Sequence, residues 1–256
     1  MLNKIFHLQD AHTTVKRELI AALTTFVSLS YILFVNPNIL NAAGIPKGAA
    51  FTVTAVATAV GCFLMGLIAN YPIALAPTLG SGAFFAYNVC VGMKISWETA
   101  LAAVLVASVL FILITIFKLR EIVVDAIPQD MKYAISAGIG LFIAFIGLKN
   151  GQIIVNSDST LVALGKFSNP AVWITLFGLV LTVVLMALNV PGSIFIGMIV
   201  TAIFGMIIGQ ISLPHGIISG APSIAPTFGQ AVFHIKDINT AQLWMVVLTF
   251  LLVTFF

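Results

Sequence analysis

The chain has 256 residues, of which 61% are hydrophobic and 7% charged, with a net charge of +3; an average soluble domain carries roughly 25% charged residues. The basic side chains are scattered between apolar runs rather than gathered into a patch, which excludes a nucleic-acid surface. Uncharged runs lie between Lys47 and Lys94 and between Lys166 and Lys236. Each exceeds the roughly 20 apolar residues of one bilayer crossing, so the reading is an all-α polytopic membrane protein.

Taken in order, the chain opens with a charged segment, 1–18, that holds Lys4, Asp10, Lys16, Arg17 and Glu18. It has no short apolar core or small-residue cleavage site of a signal peptide, and its amphipathic pattern places it at the membrane surface. The first span is expected at 19–40, ending at Asn36, Pro37 and Asn38, and the second at 49–69. The third occupies 72–92 and the fourth 97–117, followed by the charged loop "KLREIVVDAIPQDMK". The fifth is expected at 132–149 and the sixth at 170–188. The turn "NVPG" leads to the seventh at 192–211, then a Gly/Pro-rich loop and an eighth segment at 241–256. The positive residues Lys4, Lys16 and Arg17 put the N-terminus on the cytoplasmic side. Sixteen residues reach about 24 Å as a helix, short of a hydrocarbon core of roughly 30 Å, so the eighth segment reads as truncated.

The third span is the unusual one. In "YPIALAPTLGSGAFFAYNV" Pro77 interrupts a regular helix and pushes Ala76 toward extended backbone. Gly80 and Gly82 permit close approach of a ligand or another chain segment. Irregular backbone at membrane depth persists only where it is buried in protein or lines a wet cavity. A half-helix starting here leaves its first amides, expected at Ser81, Gly82, Ala83 and Phe84, open and at the positive end of a dipole. Discontinuous helices build midplane sites in secondary transporters in this way. Pro77 and Gly80 are therefore the structural break, and Thr78, Ser81, Gly82, Ala83 and Phe84 the candidate substrate-binding residues. The bland alternative is a Pro-kinked helix whose glycines serve packing.

Other polar side chains in the spans, Thr24, Thr25, Ser28, Ser30 and Thr115, read as hydrogen-bonding back to their own helices or to neighbours. Cys62 and Cys90 lie in apolar segments and read as small buried residues rather than a disulfide or metal pair. No Asp, Glu, Lys, Arg or His stands in the middle of a span, although ion-coupled transport usually relies on such a group. No nucleophile–base pair or metal-ligand cluster lies in the spans, which argues against an enzyme and implies neither metal nor cofactor.

Three blocks carry a family resemblance: "ELIAALTTFVSLSYILFVNPNIL", "ANYPIALAPTLGSGAFFAY" and "AIPQDMKYAISAGIGLFIAFIGLKN". From about residue 15 onward the chain resembles the nucleobase:cation symporter-2 family, in its adenine/guanine/hypoxanthine permease branch. The resemblance implies a plasma-membrane, multi-pass importer of purine nucleobases coupled to a cation, a proton rather than sodium, embedded in the lipid bilayer and capable of forming a homodimer. It implies fourteen segments in two inverted seven-segment repeats, of which this chain holds the first repeat and the start of an eighth segment. On that template 1–18 is a cytoplasmic segment, 19–118 the core spans one to four, and 119–211 the gate spans five to seven. An extracellular loop follows at 212–240, then the truncated eighth span at 241–256. Residues Ile73 to Pro77 would form a short strand, with the half-helix from Gly80 onward, and the family's binding and coupling carboxylates would lie in segments eight and ten. One departure stands out. The branch usually reads "APGMGLNAFFAY" where this chain reads "APTLGSGAFFAY", so Gly82 replaces an asparagine implicated in purine recognition and Thr78 and Leu79 replace Gly-Met. Ser81 can restore part of that hydrogen bonding, and the change points to a shifted base preference. Competing readings are an anion transporter or channel of the same architecture, which would also use a positive half-helix end, and a truncated membrane protein that does not transport.

Overall fold

The computed structural model describes residues 6, 8, 13–118, 125, 127–157, 160–212, 220–238 and 240–255. Most of the segment before Thr13, the loop 119–124 and His215 lie outside them. Apolar helical segments stand at all eight expected places. Five are long and apolar enough to cross a membrane, at 15–42, 47–69, 97–116, 129–150 and 170–187, and three are shorter, at 79–92, 193–207 and 241–254.

Local chemistry sets the ends. Helix α1 (Val15–Leu29) is capped by Thr14, whose hydroxyl accepts from the Arg17 amide at 3.4 Å, with Glu18 in the positive first turn. Thr24 and Thr25 donate back to Ile20 O and Ala21 O at 2.9 Å, and Ser30 to Val27 O at 2.8 Å, as expected of hydroxyls in a membrane helix. The first span does not stop at Pro37. It breaks earlier, in a turn at Ser30 and Tyr31, and resumes as α2 (Ile32–Ala42) with Pro37 inside the helix. Pro37 removes one backbone donor from α2.

Helix α3 (Lys47–Leu64) widens into a π-helical end, Met65–Ala69, closed by Asn70 in the left-handed region at φ 53°. After a non-helical stretch come α4 (Leu79–Ala83), continuing as a π-helix over Phe84–Gly92, and α5 (Trp97–Ile116). The α5 cap is Ser96, whose Oγ accepts from the Thr99 amide at 3.3 Å. Helix α6 spans Gln129–Asn150. Helix α7 (Pro170–Ala187) starts with proline in its first position and Asn169 Oδ1 accepting from the Ala171 amide at 3.0 Å. Helix α8 is Ser193–Ile207, α9 is the single turn Gln230–Phe233, and α10 is Ala241–Thr254.

Two expectations need correction. The chain is not wholly helical: between α6 and α7, β1 (Ile154–Ser157) and β2 (Leu161–Leu164) pair antiparallel, with Ile154 opposite Leu164 and Ser157 opposite Leu161. In the sequence, β-branched Ile154, Val155 and Val162 flank the polar run Asn-Ser-Asp-Ser, a pattern that suits a hairpin better than a loop. The stretch after the seventh span is not all loop either, since α9 and a 3₁₀ turn, Ile235–Asp237, interrupt it.

The chain divides into two compact units: 1–35, 54–77 and 145–220 form one, and 36–53, 78–144 and 221–256 the other. In the first, α7 and α8 form a hairpin around the predicted "NVPG" turn, where Gly192 adopts φ +74°. A Cβ on Gly178 would stand 2.7 Å from Thr201 Oγ1, and one on Gly197 would stand 2.2 Å from Thr182 Oγ1. Each threonine turns its hydroxyl onto its own helix, Thr182 to Gly178 O at 2.8 Å and Thr201 to Gly197 O at 2.6 Å. The helices thus meet glycine against threonine, twice, the small-residue contact that lets apolar helices approach closely. In the second unit α10 lies along α5. The alanines Ala100, Ala103 and Ala107 are buried there, as are Val246 and Val247, and Phe111 meets Phe255 edge-on at 5.4 Å.

Candidate functional site

The span at 72–92 is not a continuous helix. Residues 70–78 form no regular hydrogen-bonded element, and Thr78 caps α4 with extended backbone (φ −75°, ψ 125°). The expected strand at 73–77 is non-helical but pairs with no other strand; among the described residues the only sheet is the hairpin β1–β2. The helical part, 79–92, is fourteen residues long, at most about 21 Å at the α-helical 1.5 Å per residue and less where it is π-wound, and so covers part of a bilayer rather than the whole.

The open amides differ from the sequence expectation. The Gly82 amide already donates to Thr78 O at 3.2 Å, and that of Phe84 donates to Gly80 O and Ser81 O. Because the helix starts at Leu79, capped by Thr78, rather than at Gly80, the amides without an acceptor inside the helix are those of Leu79, Gly80 and Ser81. The hydroxyls of Thr78 and Ser81 bond to each other across the first turn, and Ser81 Oγ also donates to Thr78 O at 3.3 Å. The open amides at the positive end of the half-helix therefore begin two residues earlier than the glycine pattern suggests, at Leu79 rather than Ser81.

The two glycines serve close approach. A Cβ on Gly80 would lie 3.0 Å from Ile139 Cγ2 of α6, and one on Gly82 would lie 3.3 Å from Asn36 Oδ1 of α2. Of the remaining candidates, Thr78 is exposed, Ser81 is half-buried and Ala83 is completely buried. Phe84 is half-buried and meets Phe250 of α10 edge-on, centroids 5.3 Å apart, while the buried Phe85 lies 6.3 Å from the same ring. The aromatic pair thus ties the half-helix to α10.

Sequence reasoning missed two features. Cys62 is more than a small filler: its thiol donates to Leu75 O at 3.4 Å, and the Leu75 amide donates to Cys62 Sγ at 3.3 Å. Beside it, Gly61 would bring a Cβ within 3.2 Å of Leu75 Cβ. Together they form a seat for the non-helical backbone, which otherwise lacks the ladder of a helix or sheet. The other is Asn36, buried at 5% exposure beside Gly82; it is one of three asparagines in α2, with Asn38 and Asn41, and was read as the end of a span.

With this geometry in hand, comparison with known proteins decides the family. The Permease family, Xan_ur_permease, matches residues 16–256. The chain belongs to that family. The permease is 47% identical over 264 residues to the guanine/hypoxanthine permease PbuG of Bacillus subtilis, covering 100% of this chain and 60% of that protein. It is 45% identical to the guanine/hypoxanthine permease PbuO of the same organism, over 98% of this chain and 59% of the relative. It is 35% identical to the adenine permease AdeP of Escherichia coli, over 100% and 57%. The chain therefore spans about 60% of the length of the curated relatives it matches. It is a multi-pass protein of the plasma membrane, and its relatives are transporters rather than catalysts.

Proposed function

We propose that this permease serves purine nucleobase import by cation symport, with a proton as the coupling ion, and that the base is received at the start of the half-helix. The observation that carries the reading is the helix start at Leu79, at the end of a non-helical stretch in an apolar span, with the amides of Leu79, Gly80 and Ser81 open. Relatives named for guanine, hypoxanthine and adenine support the substrate class. In this proposal Pro77 and Gly80 keep the backbone open, Thr78 and Ser81 fix its first turn, Gly82 and Ala83 hold the floor and Phe84 flanks the base. Spans one to four act as the core and five to seven as the gate, the first of two inverted repeats. No ionisable residue stands mid-span in this chain, so the proposal places the coupling carboxylates in other spans of the complete transporter.

Uptake of radiolabelled adenine, guanine and hypoxanthine, measured in cells lacking their own uptake and expressing the complete gene, tests the reading. Accumulation abolished by a protonophore, and lost in Gly82→Leu while the protein still inserts in the membrane, is the expected outcome. No uptake of any base, or unimpaired uptake by Gly82→Leu, overturns it. A second reading, an anion carrier, draws on the same positive helix end; anion flux without base uptake would favour it.

A further inference from the structure

We infer that the hairpin β1–β2, with Phe167 and Trp173 beside it, is a lipid-binding anchor seated in the headgroup layer, where Lys149 and Lys166 gather anionic lipid. Its placement follows from the chain on either side. Strand β1 starts four residues after α6 ends at Asn150, and β2 ends six residues before α7 begins at Pro170. Both helices are long and apolar enough to cross a membrane, so the hairpin stands within a few residues of the surface at which one leaves and the other enters. The connections are also tied down. The Gly165 amide donates to Ile153 O at 2.8 Å, which extends the ladder to the foot of the hairpin, and a Cβ on Gly165 would collide with Gln152 O. Thr175 Oγ1 of α7 lies 3.3 Å from Gly151 O, and Trp173 Nε1 donates to Phe167 O at 2.8 Å. The hairpin is therefore held against the start of α7.

What the hairpin presents is apolar. Strand β2 reads Leu-Val-Ala-Leu and all four residues are exposed, Leu161 at 79% and Leu164 at 67%. Successive strand residues point to opposite faces, so β2 is apolar on both. Phe167 and Trp173 are exposed as well and meet edge-on, centroids 6.0 Å apart. In water such a strand is an aggregation liability, and in the hydrocarbon core its open edge would leave backbone groups unsatisfied. The headgroup layer meets both demands, apolar enough for leucine and wet enough for the strand edge. The flanking side chains are those that mark this layer. Trp173 stands in the first turn of α7 and Lys149 in the last turn of α6, so an aromatic and a basic residue bracket the hairpin where the spans end. Residues 149–170 carry two lysines, both exposed, against the single acid Asp158. That balance favours anionic phospholipid.

The test uses the complete transporter in vesicles of equal parts phosphatidylcholine and phosphatidylglycerol, with the photo-crosslinker p-benzoylphenylalanine in place of Leu164. Mass spectrometry identifies what the benzophenone captures. Lipid adducts are expected, with phosphatidylglycerol captured about 5-fold or more over phosphatidylcholine, since each lysine near an anionic surface contributes about that factor. Lys149→Gln combined with Lys166→Gln, both at exposed positions, should bring the ratio close to parity. Lipid captured without preference for phosphatidylglycerol overturns the inference, as does a preference that the two lysine changes leave unmoved. Capture of another segment of the chain or of a second copy shows that protein covers the hairpin and overturns it. Absence of any adduct places the hairpin in water and overturns it too. If the protein altered at Leu164 does not reach the membrane, the crosslinker replaces Leu161 instead, and the same outcomes decide.

Discussion

The seat formed by Gly61 and Cys62 offers a direct test of how the interrupted span holds its shape. Cys62→Val keeps an apolar side chain of similar size but removes both partners of the Leu75 peptide, the 3.4 Å bond to its carbonyl and the 3.3 Å bond from its amide. An intramolecular hydrogen bond contributes about 1 kcal/mol net. Two of them make about 2 kcal/mol, which corresponds to a roughly 30-fold loss in the balance between the seated and unseated backbone. Cys62→Ser retains a donor and acceptor at the same place and should lose far less. The assay is thermal unfolding of the detergent-solubilised complete protein together with uptake kinetics. The Val variant is expected to unfold several degrees lower and to transport more slowly, with Ser near wild type. Equal stability and uptake in all three proteins would show that Leu75 is held without the thiol, and the account of the seat would fail.

Three further predictions follow from packing. Gly197→Ala puts a Cβ 2.2 Å from Thr182 Oγ1, which should destabilise the α7–α8 hairpin by about 1–3 kcal/mol. Thr182→Ala in the same protein should restore much of that, and a double-mutant cycle on thermal unfolding measures the recovery. Phe250→Ala removes the ring that Phe84 and Phe85 share and should cost about 3–5 kcal/mol, with faster proteolysis of the solubilised protein as the readout. Gly192→Val forces a β-branched residue to φ +74° and drives its Cβ to 2.8 Å from Val27 Cγ1. Lower expression of folded protein, followed by fluorescence-detected size exclusion, checks it.

Much of this was legible in the residues because a bilayer leaves few choices. Apolar length located all eight helical segments, and Pro77 with Gly80 and Gly82 located the interruption, since the requirement that backbone groups be satisfied makes such a cluster conspicuous. The finer details depended on competition between neighbours. Thr78 took the cap and moved the open amides upstream to Leu79, Gly80 and Ser81. Pro37 stayed inside α2, and the chain turned at Ser30 and Tyr31 instead. The hairpin of β1 and β2 carried its own signal in Val155, Val162 and the polar run between them in the sequence, but attention to spans alone passes over it. The role of Cys62 depends on which distant backbone it meets, that of Leu75, and no periodicity encodes that.

The π-wound stretch Phe84–Gly92 closes rings five residues apart, as the Met93 amide on Asn88 O at 3.0 Å illustrates. Such winding stores surplus chain. A shortening of the gene by one codon there can be absorbed by tightening to α-helix, so the start of the helix keeps its place while its far end rotates. Length variation among relatives should therefore be more tolerable on that side of the interruption than among residues 70–78, where no slack exists to be taken up.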